Sequence, residues 1–232
     1  MNKGLRSFWV AFKSFYVENR NFRYTKYFKR YKDFTMIRAN MFSDNLRLAK
    51  KFSHVPGIVV ECGVWRGGMI AGIADILQDN SREYYLFDSF EGLPDAKEID
   101  GPSATEWQND KEGSRYFDNC KAEMTYAEAA LKKAGCKNYK LIKGWFKDTL
   151  PTFNPAKSIA ILRLDGDWYE STMECLVALY PKVQAGGLIL IDDYYTWDGC
   201  AKAIHDYFSK NSLSARIYQS KEGVCYIVKP NE

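Results

Sequence analysis

Residues 161–169 have the sequence Ile-Leu-Arg-Leu-Asp-Gly-Asp-Trp-Tyr, and residues 186–194 have the sequence Gly-Gly-Leu-Ile-Leu-Ile-Asp-Asp-Tyr. Each stretch is a short apolar run that ends in two carboxylates, which is typical of a buried parallel strand followed by a turn. In open α/β sheets, ligands bind outside the carboxyl ends of the strands. The pattern therefore predicts a crevice that contains four aspartates: Asp165, Asp167, Asp192 and Asp193.

These four aspartates would repel one another in a shared crevice. Proteins usually compensate clustered carboxylates with a hard divalent cation, which prefers oxygen ligands. The alternative is that some of the aspartates cap helices or form turns, and it applies most directly to Asp167. We favour a metal site because both pairs follow strand-like runs.

An earlier part of the chain predicts the first unit of the sheet. A strand at residues 58–60, a glycine-rich turn and an apolar helix at residues 69–77 indicate the start of a nucleotide-binding βαβ unit. In this turn Gly63 lets the backbone bend sharply, and Gly67 and Gly68 let a ligand and the helix approach closely. The turn is not a GxGxxG sequence, so the dinucleotide fingerprint of a dehydrogenase is not met.

The second strand also ends in an acid. Residues 84–87 are strand-like and are followed by Asp88, which lies 20 positions after Gly68. An acid at this place typically binds a ribose diol, although a helix cap or a turn is the alternative. The following residues 89–113 contain several glycines, prolines and acids, which predicts a long lid or binding loop.

The remainder alternates strands and helices. Strands are predicted at 139–143, 159–164 and 188–191, helices at about 171–180 and 199–208, and an antiparallel hairpin at 215–228. This order predicts an α/β fold with a Rossmann-like, doubly wound sheet and a mixed edge. The length of 232 residues fits one such domain.

Composition limits the classes of function. The chain is 46% hydrophobic and 27% charged, as is usual for a soluble globular protein. Six cysteines without a CxxC pair favour free thiols in a reducing compartment, so we expect a cytoplasmic protein. The two histidines stand apart, which disfavours a His-ligated metal or a Ser-His-Asp triad. No basic stripe accompanies an aromatic nucleic-acid motif, so no nucleic-acid partner is expected.

Residues 1–34 differ from the remainder of the chain. They carry nine Lys/Arg against two Asp/Glu and are rich in aromatic residues. We expect a helical arm, separate from the domain at residues 35–232, that packs on that domain or on a second subunit. A surface for membranes or acidic partners is the less favoured alternative. The longest apolar run in the arm, residues 8–12, is too short to span a membrane.

Five blocks, in this order, closely resemble the macrocin O-methyltransferase (TylF-like) family. They are Val-Glu-Cys-Gly-Val-Trp-Arg-Gly-Gly at 60–68, Phe-Asp-Ser-Phe-Glu-Gly-Leu-Pro at 87–94, Gly-Trp-Phe-Lys-Asp-Thr-Leu-Pro at 144–151, Leu-Asp-Gly-Asp-Trp-Tyr-Glu-Ser-Thr at 164–172 and Ile-Asp-Asp-Tyr at 191–194. The resemblance implies a class I S-adenosylmethionine (SAM) methyltransferase fold with strand order 3-2-1-4-5-7-6. It also implies Mg²⁺-dependent methylation of a sugar hydroxyl on a glycosylated small molecule, by a homo-oligomer.

The resemblance further implies roles for individual residues. The first block would hold the methionine part of SAM, through Glu61, Gly63, Trp65, Arg66, Gly67 and Gly68. The ribose would be bound by Asp88 with Ser89, and the adenine side by Gly144, Trp145 and Phe146. The metal ligands would be Asp165, Asp192 and Asp193, of which Asp165 also borders the cofactor. Asp167 matches the general base, and Asp165 is the rival candidate.

Two competing functions remain at this stage. Asp165-Gly-Asp167 is also a DxD sequence, as in metal-dependent glycosyltransferases that use nucleotide sugars. Such an enzyme requires neither the Glu61-Cys-Gly block nor the second aspartate pair. A non-catalytic alternative makes the aromatic arm the working part and the α/β domain a scaffold. Residues 1–34 and 95–118 do not match the family closely, and the acceptor pocket is shaped by such regions.

Overall fold

A seven-stranded sheet forms the centre of the computed structural model, which describes residues 24–231. Its strands are β1 Ile58–Cys62, β2 Tyr84–Asp88, β3 Tyr139–Lys143, β4 Ile159–Leu164, β5 Val183–Ile191, β6 Ile217–Gln219 and β7 Cys225–Val228. Their order in the sheet is β3-β2-β1-β4-β5-β7-β6. β1 to β5 run parallel, whereas β7 is antiparallel to both β5 and β6. The predicted strand order and antiparallel hairpin are confirmed.

Helices cover both faces of the sheet. In the part of the chain that the structure describes, they are α1 at residues 24–31, α2 Ala39–Lys51, α3 Gly68–Leu77, α4 Pro102–Asn109, α5 Met124–Ala134, α6 Phe146–Thr149, α7 Tyr169–Leu179 and α8 Asp198–Lys210. Successive strand residues point to opposite faces. In β1, Ile58, Val60 and Cys62 pack in the core that includes α7 and α8, and Val59 packs in the core that includes α2 and α3. Burial on both faces explains the continuous apolar runs.

The described end of the basic arm packs on its own domain. Tyr31 is fully buried, and its hydroxyl donates to Asp75 Oδ2 at 2.8 Å. Arg30 pairs with the same carboxylate at 3.0 Å. Most of the predicted arm, residues 1–23, lies outside the described residues, so its helical structure and any membrane contact stay predictions. Over residues 24–231, no helix is long and apolar enough to cross a membrane.

Residues 89–120, named the cap segment below, are more ordered than the predicted long loop. The segment contains α4, which begins at a proline, a residue that suits the first helical position. The Asp100 carboxylate is buried and accepts the N–H of Tyr169 at 2.7 Å. The indole of Trp168 donates to the carbonyl of Pro94 at 2.9 Å. These two bonds fix the cap segment to the start of α7. The prediction of a long loop was wrong where α4 forms.

Candidate active site

A cleft of about 1390 Å³ lies at the carboxyl ends of the parallel strands, and the cap segment forms part of its wall. Three non-glycine residues just beyond β1, β2 and β4 have positive φ: Trp65 at 47°, Phe90 at 56° and Asp167 at 58°. Such angles are uncommon outside glycine, and backbone strain of this kind clusters at functional sites. Trp65 and Asp167 border the cleft, so part of the strained backbone lies at the crevice that the strand ends predicted.

The glycine-rich turn after β1 presses against the end of β4. Gly63 has φ of 83°, and a Cβ at this position would lie 1.7 Å from the carbonyl oxygen of Asp165. The N–H of Asp165 donates to the carbonyl of Cys62 at 2.9 Å. Because any side chain at Gly63 would collide with backbone, the turn and the end of β4 form one closely packed wall of the cleft.

Glu61 places a buried carboxylate at the floor of the cleft. Its Oε1 lies 3.1 Å from Arg163 Nη1, while its Oε2 has no hydrogen-bond partner among the residues described. Burial raises the pKa of Glu61 to about 8, although the Arg163 charge opposes this. A buried acceptor that protein groups leave unpaired suits a donor group of a ligand.

Asp88 holds the glycine-rich turn in place. Its Oδ2 accepts the backbone N–H of Val64 at 2.6 Å and of Trp65 at 2.8 Å, and its Oδ1 accepts that of Phe90 at 2.6 Å. Burial raises the pKa of Asp88, and these three donors oppose the rise. Two carboxylate oxygens can accept about four hydrogen bonds, so the predicted ribose contact still has an acceptor position.

Arg163 was missing from the predicted site, and it lies at the centre of the acids. It is on β4 and its side chain is 1% exposed. Its Nη1 is 3.1 Å from Glu61 and 2.6 Å from Asp165, and its Nη2 is 2.7 Å from Asp192. One guanidinium therefore joins carboxylates from the ends of β1, β4 and β5. The positive charge of Arg163 therefore relieves part of the repulsion that the sequence analysis assigned to a metal ion alone.

A signal for Arg163 was present in the sequence. A buried charge is costly unless it is paired, so an arginine inside an apolar strand requires acidic partners nearby. Burial lowers the pKa of Arg163, but the neighbouring carboxylates outweigh this and raise it well above its usual value. The guanidinium is therefore a permanent positive charge.

The carboxylates still outnumber this cation. Burial raises the pKa values of Asp165, Asp167 and Asp193, and the mutual repulsion of the acids adds to the effect. Around Arg163 the described residues place five acids: Glu61, Asp165, Asp167, Asp192 and Asp193. Five acids around one guanidinium favour the binding of an additional cation, which would stabilise their ionised forms.

The predicted metal ligands come together. Asp165, Asp192 and Asp193 each offer a carboxylate oxygen, and these oxygens lie within 4.8 Å of one another. Arg163 contacts one oxygen of Asp165 and one of Asp192, so each of these carboxylates has a further oxygen that does not contact the guanidinium. A set of three carboxylates fits Mg²⁺ or another hard divalent cation.

Asp167 is held from two sides. Its backbone N–H donates to Asp193 Oδ2 at 3.0 Å, and its Oδ1 accepts the indole N–H of Trp197 at 2.9 Å. It is thus both a turn residue and a cleft residue. Trp197 was not predicted, and no spacing in the sequence signals it. Its ring belongs to a group named the tryptophan cluster below, with centroids 5.2 to 6.2 Å apart: Trp107, Trp168 and Trp197.

Most other predicted cofactor residues border the cleft, namely Trp65, Gly68, Ser89, Gly144, Trp145 and Phe146. Arg66 and Gly67 do not. The Arg66 guanidinium lies between the rings of Trp65 and Tyr126, 4.5 and 4.7 Å from their centroids. Gly67 has φ of 78° and lies against Ala127. Both residues shape the turn behind the cleft and do not face it.

Five parallel strands followed by an antiparallel hairpin, in the observed order, are the fold of class I SAM-dependent methyltransferases. The sequence matches the macrocin O-methyltransferase (TylF) family over residues 31–227, and the chain belongs to that family. This membership does not favour the glycosyltransferase alternative.

Two curated relatives are similar over most of this chain. The demethyldecarbamoylnovobiocin O-methyltransferase of Streptomyces niveus is 38% identical over 175 residues, which cover 71% of this chain and 63% of the relative. The mycinamicin III 3''-O-methyltransferase of Micromonospora griseorubida is 33% identical over 180 residues, which cover 73% of this chain and 68% of the relative. The chain thus spans slightly less than two thirds of the first of these proteins.

A solved structure shows the same architecture. The O-methyltransferase NovP superposes with a TM-score of 0.71 at 29% sequence identity, covering 85% of this chain and 83% of NovP.

Proposed function

We propose that the protein transfers a methyl group from SAM to a sugar hydroxyl of a glycosylated natural product or glycan, and that Mg²⁺ is required. One observation carries the proposal: acids from β1, β4 and β5 converge beside the glycine-rich turn in a single cleft. The cleft can accommodate a cofactor and a second ligand side by side. Family membership and the O-methyltransferase names of both relatives support methyl transfer to oxygen.

Bound SAM would supply the methyl group of its sulfonium: the O–C bond to the acceptor would form as the C–S bond breaks, with SAH as the leaving group. Glu61 Oε2 provides an acceptor for the methionine amino group, and the turn at Gly63 lets the backbone approach it. Asp88 would accept hydrogen bonds from the ribose. Trp145, which is 37% exposed at the cleft, offers a surface for the adenine. Together these residues would bind and orient SAM, and orientation of the reacting groups contributes strongly to the rate.

Asp167 serves as the general base in this proposal. Its carboxylate faces the cleft, and burial together with the Asp165 charge raises its pKa, which makes it a stronger proton acceptor than an exposed aspartate. Mg²⁺ held by Asp165, Asp192 and Asp193 would lower the pKa of a sugar hydroxyl. Because five acids surround the single positive charge of Arg163, the site favours both this metal ion and a positively charged sulfonium.

Isothermal titration with S-adenosylhomocysteine (SAH), with and without Mg²⁺, tests the cofactor assignment. We expect SAH to bind, and incubation with SAM, Mg²⁺ and a panel of glycosides that includes mycinamicin III and demethyldecarbamoylnovobiocin to give a product one methyl group heavier. A thermal-shift comparison with UDP-sugars provides the control. Stabilisation by UDP-sugars without any SAH binding would contradict the proposal and support the glycosyltransferase alternative.

Asp88→Ala is expected to weaken SAH binding by about 10- to 100-fold, because a lost hydrogen bond to a charged group costs about 1.5–3 kcal/mol. The change removes the proposed ribose acceptor and also releases the amides of Val64 and Trp65. Isothermal titration measures the loss. Asp79→Ala is the matched control and should bind SAH normally, because this half-buried acid pairs with Arg82 at 3.3 Å and does not border the cleft. Unchanged affinity in Asp88→Ala would contradict the assignment.

Asp165→Ala is expected to lose activity and Mg²⁺ dependence together. The change removes one of three proposed ligands and a partner of Arg163, so Mg²⁺ affinity should fall along with turnover. Titration of Mg²⁺ into the SAH-bound protein measures the first effect without depending on activity. Turnover that Mg²⁺ still stimulates in this variant would exclude Asp165 as a ligand.

The proposal also includes a cytoplasmic location and a homo-oligomeric state. The six cysteines are all unpaired, which supports a reducing, cytoplasmic setting. A homo-oligomer is proposed from the aromatic arm, and light scattering of the full chain and of a variant that lacks residues 1–23 tests it. Loss of assembly with retained SAH binding is the expected outcome for that deletion.

A further inference from the structure

We propose that Trp197 is a positioning residue for the reaction: its indole N–H orients the Asp167 carboxylate, and its ring connects that carboxylate to the cap segment. This inference rests on the proposed function. It begins from the 2.9 Å bond between Trp197 Nε1 and Asp167 Oδ1. Because this bond fixes Oδ1, and no described protein group donates to Oδ2, Oδ2 is the atom best placed to meet an acceptor hydroxyl.

The backbones of the two residues are joined through Asp193. The N–H of Asp167 donates to the Asp193 side chain at 3.0 Å, and the N–H of Trp197 donates to the Asp193 carbonyl at 3.0 Å. The indole bond then closes a ring of three residues. Because Asp167 has φ of 58°, its side chain leaves the backbone in an uncommon direction, and the ring holds it there.

The Trp197 ring is itself held by aromatic neighbours. Its centroid is 5.2 Å from that of Trp168 and 5.9 Å from that of Trp107, both in edge-on geometry. Trp107 belongs to α4 of the cap segment, packs on Tyr116 at 5.3 Å and donates its N–H to the carbonyl of Arg115 at 2.9 Å. Trp107, Tyr116 and Trp197 border the cleft. The position of the cap segment is therefore coupled, through Trp197, to the direction of the Asp167 carboxylate.

Trp197→Phe tests the proposal, since it keeps a ring in the cluster and removes the N–H. We expect kcat to fall by about 10- to 100-fold, the scale at which misplacement of a reacting group acts, while the KM for SAM and the SAH affinity stay unchanged. Trp168→Phe is the matched control. It removes an indole hydrogen bond of the same 2.9 Å length from the same cluster, but one that ends on Pro94. It should lower the melting temperature and reduce kcat clearly less than Trp197→Phe does, because the Trp197 N–H still binds Asp167.

Equal losses of kcat in the two variants would show that the cluster acts only by packing, which would overturn the proposal. A double-mutant cycle adds a second criterion. In an Asp167→Asn background, Trp197→Phe should cause no further loss of kcat, because Trp197 acts through Asp167. Losses that multiply would also overturn it.

A spectroscopic measurement tests the contact without turnover and without a folded Trp197 variant. The protein has six tryptophans, so its ¹H–¹⁵N spectrum contains six indole signals. Asp167→Asn should shift the Trp197 signal upfield, because a hydrogen bond to a carboxylate is replaced by one to an amide. The Trp168 signal, which Trp168→Phe identifies by its loss, should stay in place. No shifted indole signal would overturn the proposal. If Asp167→Asn shifts the indole signal but the wild-type protein methylates no glycoside, the contact exists and the proposed function is wrong.

Discussion

Asp167→Asn is expected to lower kcat for methyl transfer by about 10²- to 10⁴-fold, the usual contribution of a general base. The amide has nearly the same shape and still accepts the Trp197 N–H, but it cannot take a proton from the acceptor hydroxyl. The residues proposed to bind SAM are unchanged, so SAH affinity should remain that of the wild type. Steady-state kinetics and isothermal titration on the same samples separate the two quantities.

Asp165→Ala provides the comparison, because Asp165 is the rival candidate for the base. Burial raises the pKa of Asp165, but the positive charge of Arg163, 2.6 Å from Asp165 Oδ2, opposes this rise and favours the ionised carboxylate. Asp167 Oδ1 instead accepts from a neutral indole. Asp167→Asn should therefore lose turnover and keep Mg²⁺ affinity, whereas Asp165→Ala should lose both. Full turnover in Asp167→Asn would exclude it as the base and leave Asp165.

The ends of the strands carried most of what the sequence could predict. Apolar runs at 159–164 and 188–191 are buried on both faces, so their strand character does not depend on a distant partner. The acids directly after them must then lie at one edge of a parallel sheet. The approach of Asp165, Asp192 and Asp193 to within 4.8 Å follows from this reasoning.

Arg163 could not be assigned without the register of the sheet. Glu61 pairs with Arg163 across β1 and β4, and Arg163 pairs with Leu190 across β4 and β5. Side chains alternate with a period of two, so Asp165 and Asp192 fall on the same face as Arg163. A register shift near Ile159 changes the alignment of β4 with both neighbours, and nothing in the sequence fixes its position.

The cap segment illustrates a second limit. Its helix α4 has mostly polar, exposed residues, with Ala104 as the buried one, so no apolar periodicity reveals it. The contacts that fix it are tertiary, such as the Asp100 carboxylate on the Tyr169 N–H. Trp107 and Trp197 are 90 positions apart in the chain and meet only in the folded protein. Their link to Asp167 therefore had no local signal.

Arg163→Met is expected to lower the free energy of unfolding by about 3–5 kcal/mol, because removal of one partner leaves buried carboxylates without their counter-charge. Glu61, Asp165 and Asp192 would then repel one another at the ends of three adjacent strands. SAH affinity should also fall, because the carboxylates at the floor of the cleft would lose their fixed positions. Urea denaturation and isothermal titration measure the two effects. Mg²⁺ should raise the melting temperature of this variant more than that of the wild type, because a cation bound to the folded state replaces part of the lost charge.

Arg82→Met is the matched control for this change. Arg82 is also buried, and it donates to the carbonyls of Ser53 and Val55, outside the cleft. Its loss should destabilise the protein, since the buried Val55 carbonyl and the partly buried Ser53 carbonyl lose their donor, but SAH affinity and the effect of Mg²⁺ should stay as in the wild type. If the two variants show the same SAH affinity and the same effect of Mg²⁺, Arg163 contributes only to the stability of the fold. Loss of SAH binding and a larger Mg²⁺ effect in Arg163→Met alone would mean that the guanidinium organises the carboxylates on which the proposed chemistry depends.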